Sequence, residues 1–195
     1  MGRPRKATDL VATTKIENAF WYLLETEDYS RITVQKLADA AEVNRNAVYY
    51  HYENIDDVAK KAFINFLHTD TVEQFVNLLF NGMRNEQKSE VGAEFVQGVR
   101  KLQLCSGSNS IYLNQLLKTA IRDNMFRIMN IDETKLDEIE KLSVEFTLSG
   151  IVALLGSKEV MDNPLLMLKM PETDIGKAAL GELRRLSEEI KGRLL

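Results

Sequence analysis

Apolar residues recur at the helical period along most of the chain, and no long alternating run of the kind a strand needs is present. Leu10, Ala12, Ile16, Ala19, Phe20, Leu23 and Leu24 form one face of a helix expected over residues 8–27. Asp28 to Ile32 is a connector in which Tyr29 and Ile32 are expected to plug the core. Behind Thr33, an N-cap residue, Val34, Leu37, Ala38 and Ala41 recur at i, i+3, i+4 and i+7 and define a second helix. Glu42-Val43-Asn44 is too short to be anything but a turn, and Asn44 caps a third, short helix from Arg45 to about His51. The helical period divides that helix by face. Ala47 and Val48 point back at the second helix, whereas Arg45, Asn46, Tyr49 and Tyr50 fall on the other side with nothing obvious to bury against. Asn54 caps a fourth helix expected from Ile55 to about Phe80, with Asp56 and Asp57 against its positive end. A helix of that length would span about 39 Å at about 1.5 Å per residue, enough to join two domains as a rod.

The polar stretch Asn81 to Glu90 marks a loop and a domain boundary. Beyond it helices are expected at about 89–104, 110–129, 133–157 and 173–195, with Lys118 to Arg122 the place where the second of these could break. Ser106-Gly107-Ser108-Asn109 separates the first two. Residues 142–156 are apolar almost all round yet only about four turns long, which calls for burial on more than one side. Ser149, Gly150, Ala153 and Gly156 would let another helix approach closely. The final helix carries Ile175, Ala179, Leu183, Leu186, Ile190 and Leu194 as one stripe; a second copy of the chain or the monomer's own core could cover it. Between these two helices, Met161 to Met170 is unusually apolar for a loop.

Composition supports an all-α class: 195 residues, 45% hydrophobic, with only three Pro and ten Gly. No apolar run is long enough to span a bilayer and no signal-peptide pattern follows Met1, so a cytoplasmic location is expected. The net charge of -4 argues at first sight against a nucleic-acid partner. Its distribution does not, because Arg3, Arg5 and Lys6 crowd into residues 1–7, and Arg31, Lys36 and Arg45 fall near the exposed face of the third helix. The basic segment suits an arm that enters a minor groove or lies along phosphates, and equally a solubilising tail.

The exposed face of the third helix suits a major groove. Arg45 can fork onto guanine O6 and N7, Asn46 can pair with adenine N6 and N7, and a tyrosine can reach a phosphate or a thymine methyl. A two-helix corner with the same residues as a solvated face is the bland alternative. Ala47-Val48-Tyr49-Tyr50-His51-Tyr52, followed by Asp56-Asp57, resembles the DNA-binding domain of the TetR family of bacterial transcriptional regulators over about residues 8–68. Two departures stand out. Glu42 replaces the usual turn glycine, which suggests a turn without its left-handed residue, and Ile55 replaces a lysine that often contacts phosphate.

The resemblance implies an N-terminal helix-turn-helix domain at 8–68, preceded by the arm at 1–7 and joined by the long helix to a helical effector-binding and dimerisation domain at 69–195. It implies that Gln35, Arg45, Asn46 and Tyr50 read bases, that Thr33, Tyr49 and His51 anchor phosphates, and that Arg3, Arg5 and Lys6 support them. A homodimer through the last two helices would present two such units to a palindromic operator. A small-molecule effector would sit among Phe95, Val99, Leu102, Cys105, Tyr112, Gln115, Leu116, Met125, Phe126, Met129, Phe146 and Ser149, a mainly apolar set with a few hydrogen-bonding groups. The expected function is a sequence-specific transcriptional regulator, a repressor released by its effector. The alternative is a helical effector-binding or protein-interaction module with little DNA affinity. No catalytic residue, metal ligand or cofactor is assigned: His51 and His68 are the only histidines, the lone Cys105 has no histidine near it in sequence, and no metal or phosphate-loop motif occurs.

Overall fold

The computed structural model describes residues 7–67, 69–81 and 92–192. Arg3, Arg5, Lys6 and His68 lie outside them. Among the described residues every regular element is helical.

The helices are α1 (Ala7–Thr26), α2 (Val34–Ala40), α3 (Arg45–His51) and α4 (Ile55–Leu67), with a 3-10 turn at Tyr29–Arg31 before α2. In α1 burial begins at Ile16 and continues through Ala19, Phe20, Leu23 and Leu24. Leu10, expected on that face, is 60% exposed, for no described residue buries the first turns. Ile32 is buried and Tyr29 half-buried, as their place in the connector predicts.

Local capping defines the next three helices. The Thr33 hydroxyl accepts from Lys36 N–H at 3.3 Å, the Asn44 side-chain oxygen accepts from Asn46 N–H at 2.8 Å, and the Asn54 side-chain oxygen accepts from Asp57 N–H at 2.9 Å. Leu37, Ala38 and Val48 are buried between α2, α3 and α1. The turn departs from expectation. Glu42 itself takes φ 53°, so the left-handed geometry that glycine would supply is kept and a side chain bears its steric cost.

The fourth helix is not a rod. α4 stops at Leu67 and α5 (Thr71–Asn81) starts afresh. Thr69 causes much of this, because both its N–H (3.0 Å) and its hydroxyl (2.6 Å) turn back to the carbonyl of Phe66. The Asp70 carbonyl then accepts from Gln74 N–H at 2.8 Å and opens the next helix.

The remaining helices are α6 (Ala93–Gly107), α7 (Ile111–Met129), α8 (Glu138–Leu155), α9 (Lys158–Asp162) and α10 (Asp174–Gly192). α7 is unbroken through Lys118 to Arg122; Ser110 caps its start and Asn130, at φ 54°, ends it. α8 begins at Glu138 rather than 133 because Asp137 and Glu140 form a reciprocal capping box there, and Glu133–Lys135 is a separate 3-10 turn. The apolar stretch expected as a loop is instead α9 followed by 3-10 turns over Pro164–Glu172, with Met167 and Leu168 buried.

α5 and α6 cross at Gly98, where a Cβ would stand 2.3 Å from the Thr71 methyl, so only glycine permits the approach. The α10 stripe mostly finishes this chain's own core: Leu183, Leu186 and Ile190 are buried, while Ile175 is 80% exposed. One cluster of buried apolar side chains runs from Ile16 to Ile190, so α1–α4 share a core with the rest.

Candidate nucleic-acid interface

α3 stands on α2 through Val48 and is braced beneath by Tyr52, the most deeply buried of the aromatic run. The Tyr52 hydroxyl donates to a Glu17 carboxylate oxygen at 3.0 Å, which ties the end of α3 to α1. Lys61 of α4 lies 4.9 Å from the centre of the Tyr52 ring, and its ammonium donates to the His51 carbonyl at 3.0 Å and to Asp57 at 2.9 Å. Burial pushes the Asp57 carboxyl up, but the Lys61 bond and the Glu53 N–H outweigh it, and the net shift is downward. The base of the unit is therefore polar and cross-linked.

The opposite face is open. Arg45, Asn46, Tyr49 and Tyr50 are all exposed, Tyr50 to 76%. Arg45 Nη2 donates to the Tyr49 hydroxyl oxygen at 3.0 Å and its guanidinium carbon lies 5.4 Å from the Tyr49 ring centre. His51 is half-buried, with its ring edge-on to Tyr50 at 4.8 Å. Thr33 is exposed at the start of α2, and Gln35 donates to Asp39 at 2.8 Å. The structure thus gathers Arg45, Asn46, Tyr49, Tyr50 and His51 on one short helix, with Thr33 and Gln35 on its neighbour. Two of the cations expected near this face are paired: Lys36 with Glu27, and Arg31 with Asp28 at 3.8 Å. Among the described residues Arg45 has no carboxylate partner.

Two side chains pin this unit to the other helices and a third braces it from within, and sequence periodicity gave no sign of them as a group. The Tyr29 hydroxyl donates to the Asp56 carboxylate. Tyr112, expected to line an effector site, donates instead to the Asp56 backbone carbonyl at 3.3 Å and joins α7 to α4. Burial raises both tyrosine pKa values, and the Asp56 carboxylate raises them further. Lys101 of α6 lies over the rings of Trp21 at 5.1 Å and Phe66 at 5.3 Å, and burial lowers its pKa. Each contact spans tens of residues, so no local pattern encodes it.

The other effector candidates do not converge. Leu102, Cys105 and Met125 are 0% exposed, so no water-sized space borders them, and Phe95 and Val99 are packed nearly as tightly. Burial raises the Cys105 thiol pKa, which leaves it an unreactive core residue. Leu116, Phe126 and Met129 are half-buried against the core. Gln115, Phe146 and Ser149 point outward instead, Phe146 at 78% exposure, and Ser149 accepts from Lys118 at 2.9 Å. Helical period alone could not separate an inward from an outward face on α8, because both are apolar. That outward face carries Ile139, Leu142 and Phe146, beside Ile175 of α10. An open groove of about 560 Å³ adjoins it, floored by Ile151, Val160 and Met167.

Among the described residues no group of three or more His, Cys, Asp or Glu side chains could hold a metal ion, and no helix is long and apolar enough to cross a membrane.

No curated protein matches the chain in sequence. A solved structure similar to it is the TetR family repressor AlkX from Dietzia sp. strain DQ12-45-1b, implicated in biodegradation of n-alkanes; identity is 15%, 98% of each chain is covered, and the TM-score is 0.35. At that score AlkX says nothing about this chain's ligands or assembly. Residues 21–62, from the middle of α1 to α4, match the sequence model of the bacterial regulatory proteins of the tetR family, and they include α2, the turn and α3. Its helix-turn-helix segment is thus similar to that of the tetR-family bacterial regulatory proteins.

Proposed function

We propose that the protein is a sequence-specific repressor that binds a palindromic operator as a homodimer and is released by a small-molecule effector. The observation that carries the DNA-reading part is the exposed face of α3, where a guanidinium, an amide and two phenols stand on a helix anchored from below by Tyr52 and Lys61. Arg45, Asn46, Tyr50 and Gln35 read base edges; Thr33, Tyr49 and His51 hold phosphates. Arg3, Arg5 and Lys6 add sequence-independent attraction. Few cations take part, so affinity falls with salt, though along a shallow slope.

The dimer reading rests on the outward face of α8. Ile139, Leu142 and Phe146 are mostly exposed on one stripe, with Ile175 beside them, and Gly150 has open space around it. A second copy turned by a two-fold axis would bury this face and set the two α3 helices for successive major grooves, roughly 34–36 Å apart. The division into a DNA-binding domain at 8–68 and an effector-binding and dimerisation domain at 69–195 is supported by the break between α4 and α5 at Thr69. The effector's place is less specified. The helices that would enclose it are closely packed, so effector binding would require them to part, and Tyr112 and Lys101 would carry that movement to α4 and α1.

Selection of bound duplexes from a random library, at two salt concentrations, tests the reading. An enriched inverted repeat whose half-sites lie one helical turn apart is expected. Absence of any enriched sequence at low salt would overturn it in favour of a helical module that binds an effector or a protein and not DNA.

A further inference from the structure

We propose that Tyr49 is a positioning residue for Arg45, so that base preference depends on the phenol as well as on the guanidinium. The inference rests on the DNA-reading assignment above and goes beyond a phosphate-anchoring role for Tyr49.

Arg45 opens α3 and Tyr49 lies one turn further on the same face, the i,i+4 spacing at which side chains meet. Two contacts hold the pair: Arg45 Nη2 donates to the Tyr49 hydroxyl oxygen at 3.0 Å, and the guanidinium carbon stands 5.4 Å from the ring centre. A free arginine loses much rotamer freedom when it docks on a base, whereas a tyrosine has only two side-chain torsions to fix. Resting the longer side chain on the stiffer one removes part of that loss before DNA arrives. Among the described residues no carboxylate competes for Arg45, so its remaining N–H groups stay available for a guanine edge.

The hydrogen bond has a direction that matters. Tyr49 accepts from Arg45, so the phenolic proton is free to donate elsewhere, and a backbone phosphate is the acceptor a major-groove helix brings to that position. Tyr49 then connects two contacts of different kinds. A phosphate fixes the phenol, and the phenol fixes the fork that reads the base. Base preference at the Arg45 position depends on correct backbone register through this link.

Four proteins test the link: wild type, Arg45→Ala, Tyr49→Phe and the double variant. Each is titrated with the selected operator and with a duplex changed only at the base pair where Arg45→Ala loses preference. Arg45→Ala should reduce discrimination at that pair by about tenfold or more, the size of one guanine fork. Tyr49→Phe, which keeps the ring and loses the hydroxyl, should reduce the same discrimination several-fold, and the double variant should discriminate no worse than Arg45→Ala alone. Tyr49 is about half exposed, so the unfolding midpoint should not move. If Tyr49→Phe weakens both duplexes equally and leaves the ratio intact, the residue is a phosphate anchor only and the proposal fails while the DNA-reading assignment stands. Failure of the wild type to prefer any duplex would overturn both.

Discussion

The helix-turn-helix unit and the helices α5–α10 are held by different forces, and the difference explains what each can do. In α2, α3 and the start of α4 the local structure is written in caps at Thr33, Asn44 and Asn54 and in the polar brackets Tyr52–Glu17 and Lys61–His51. A seven-residue helix has little area to bury, so directional bonds must fix its pose. In α5–α10 the reverse holds. Phe75, Leu79, Leu102, Leu113, Leu117, Ile121, Met125 and Leu148 are closely packed and almost fully buried, and dense apolar packing dominates. A bracketed unit presents side chains with precision; a packed bundle can rearrange only by opening contacts that it holds in bulk.

The largest test of that contrast is Leu102→Ala. A fully buried leucine in a solid core should cost about 3 kcal/mol or more when truncated. Chemical denaturation measures it, and a loss near 1 kcal/mol would show that the site is already open and suited to a ligand. Gly98→Ala comes next. Alanine usually stabilises a helix interior by roughly 1 kcal/mol over glycine. Here the new methyl would meet Thr71, and the sign should reverse to a net loss of about 1–3 kcal/mol. A stabilised Gly98→Ala protein would mean that α5 and α6 can part easily, which would place the movable joint there.

For the bracketed unit, Tyr52→Phe should cost about 1–2 kcal/mol, because Glu17 loses a hydroxyl partner while Asn65 still donates to it at 2.7 Å. DNA affinity should fall in parallel, since α3 loses its brace. Unchanged stability and affinity would show that packing of the ring alone positions α3.

How much of this was legible in the sequence follows the same division. Caps, the α2–α3 turn and the outward face of α3 depend on neighbours within four residues, and they were readable. The rod from Ile55 to Phe80 was not the outcome, because one threonine that folds back on Phe66 outweighs an uninterrupted apolar stripe. Glu42 was misread for a related reason: the chain keeps the left-handed turn and tolerates the side chain. The effector candidates were chosen by residue type, and type cannot tell a packed Met125 from an exposed Phe146 when both faces of a helix are apolar. Tyr112 and Lys101 carry contacts that only the folded chain creates.

Glu42→Gly turns that misreading into a measurement. Removing Cβ at φ 53° should stabilise the protein by about 1 kcal/mol, since the left-handed conformation costs an L-residue roughly 1–2 kcal/mol. Glu42 is exposed and its backbone N–H donates to the Asp39 carbonyl, a bond glycine keeps, and among the described residues no side-chain bond is lost. Loss of the negative charge beside α3 should also strengthen DNA binding modestly at low salt. A destabilised variant would mean that the glutamate side chain makes a compensating contact.

The smallest expected effect is in the acid range and again separates the two regions. Asp57 has its folded pKa below the ordinary carboxylate value because the Lys61 bond and the Glu53 N–H outweigh its partial burial. A depressed folded value means that the contribution is fully present above the unfolded pKa, near 4, and disappears as pH falls through the folded value. Protonation frees Lys61 from one of its two acceptors and loosens the bracket on the His51 carbonyl. The packed helices also hold carboxylates below their ordinary value, Glu73 beside Arg127 and Glu182 beside Arg185, but those pairs lie at the surface of a core held by apolar packing, so acid should relax α3 before it melts the bundle. Hydrogen exchange followed through that pH window should show the amides of α3 losing protection ahead of those in α7, and Asp57→Asn should remove most of the difference. If protection in both helices falls together in wild type and variant alike, then α3 is held by the shared core and the polar bracket is incidental.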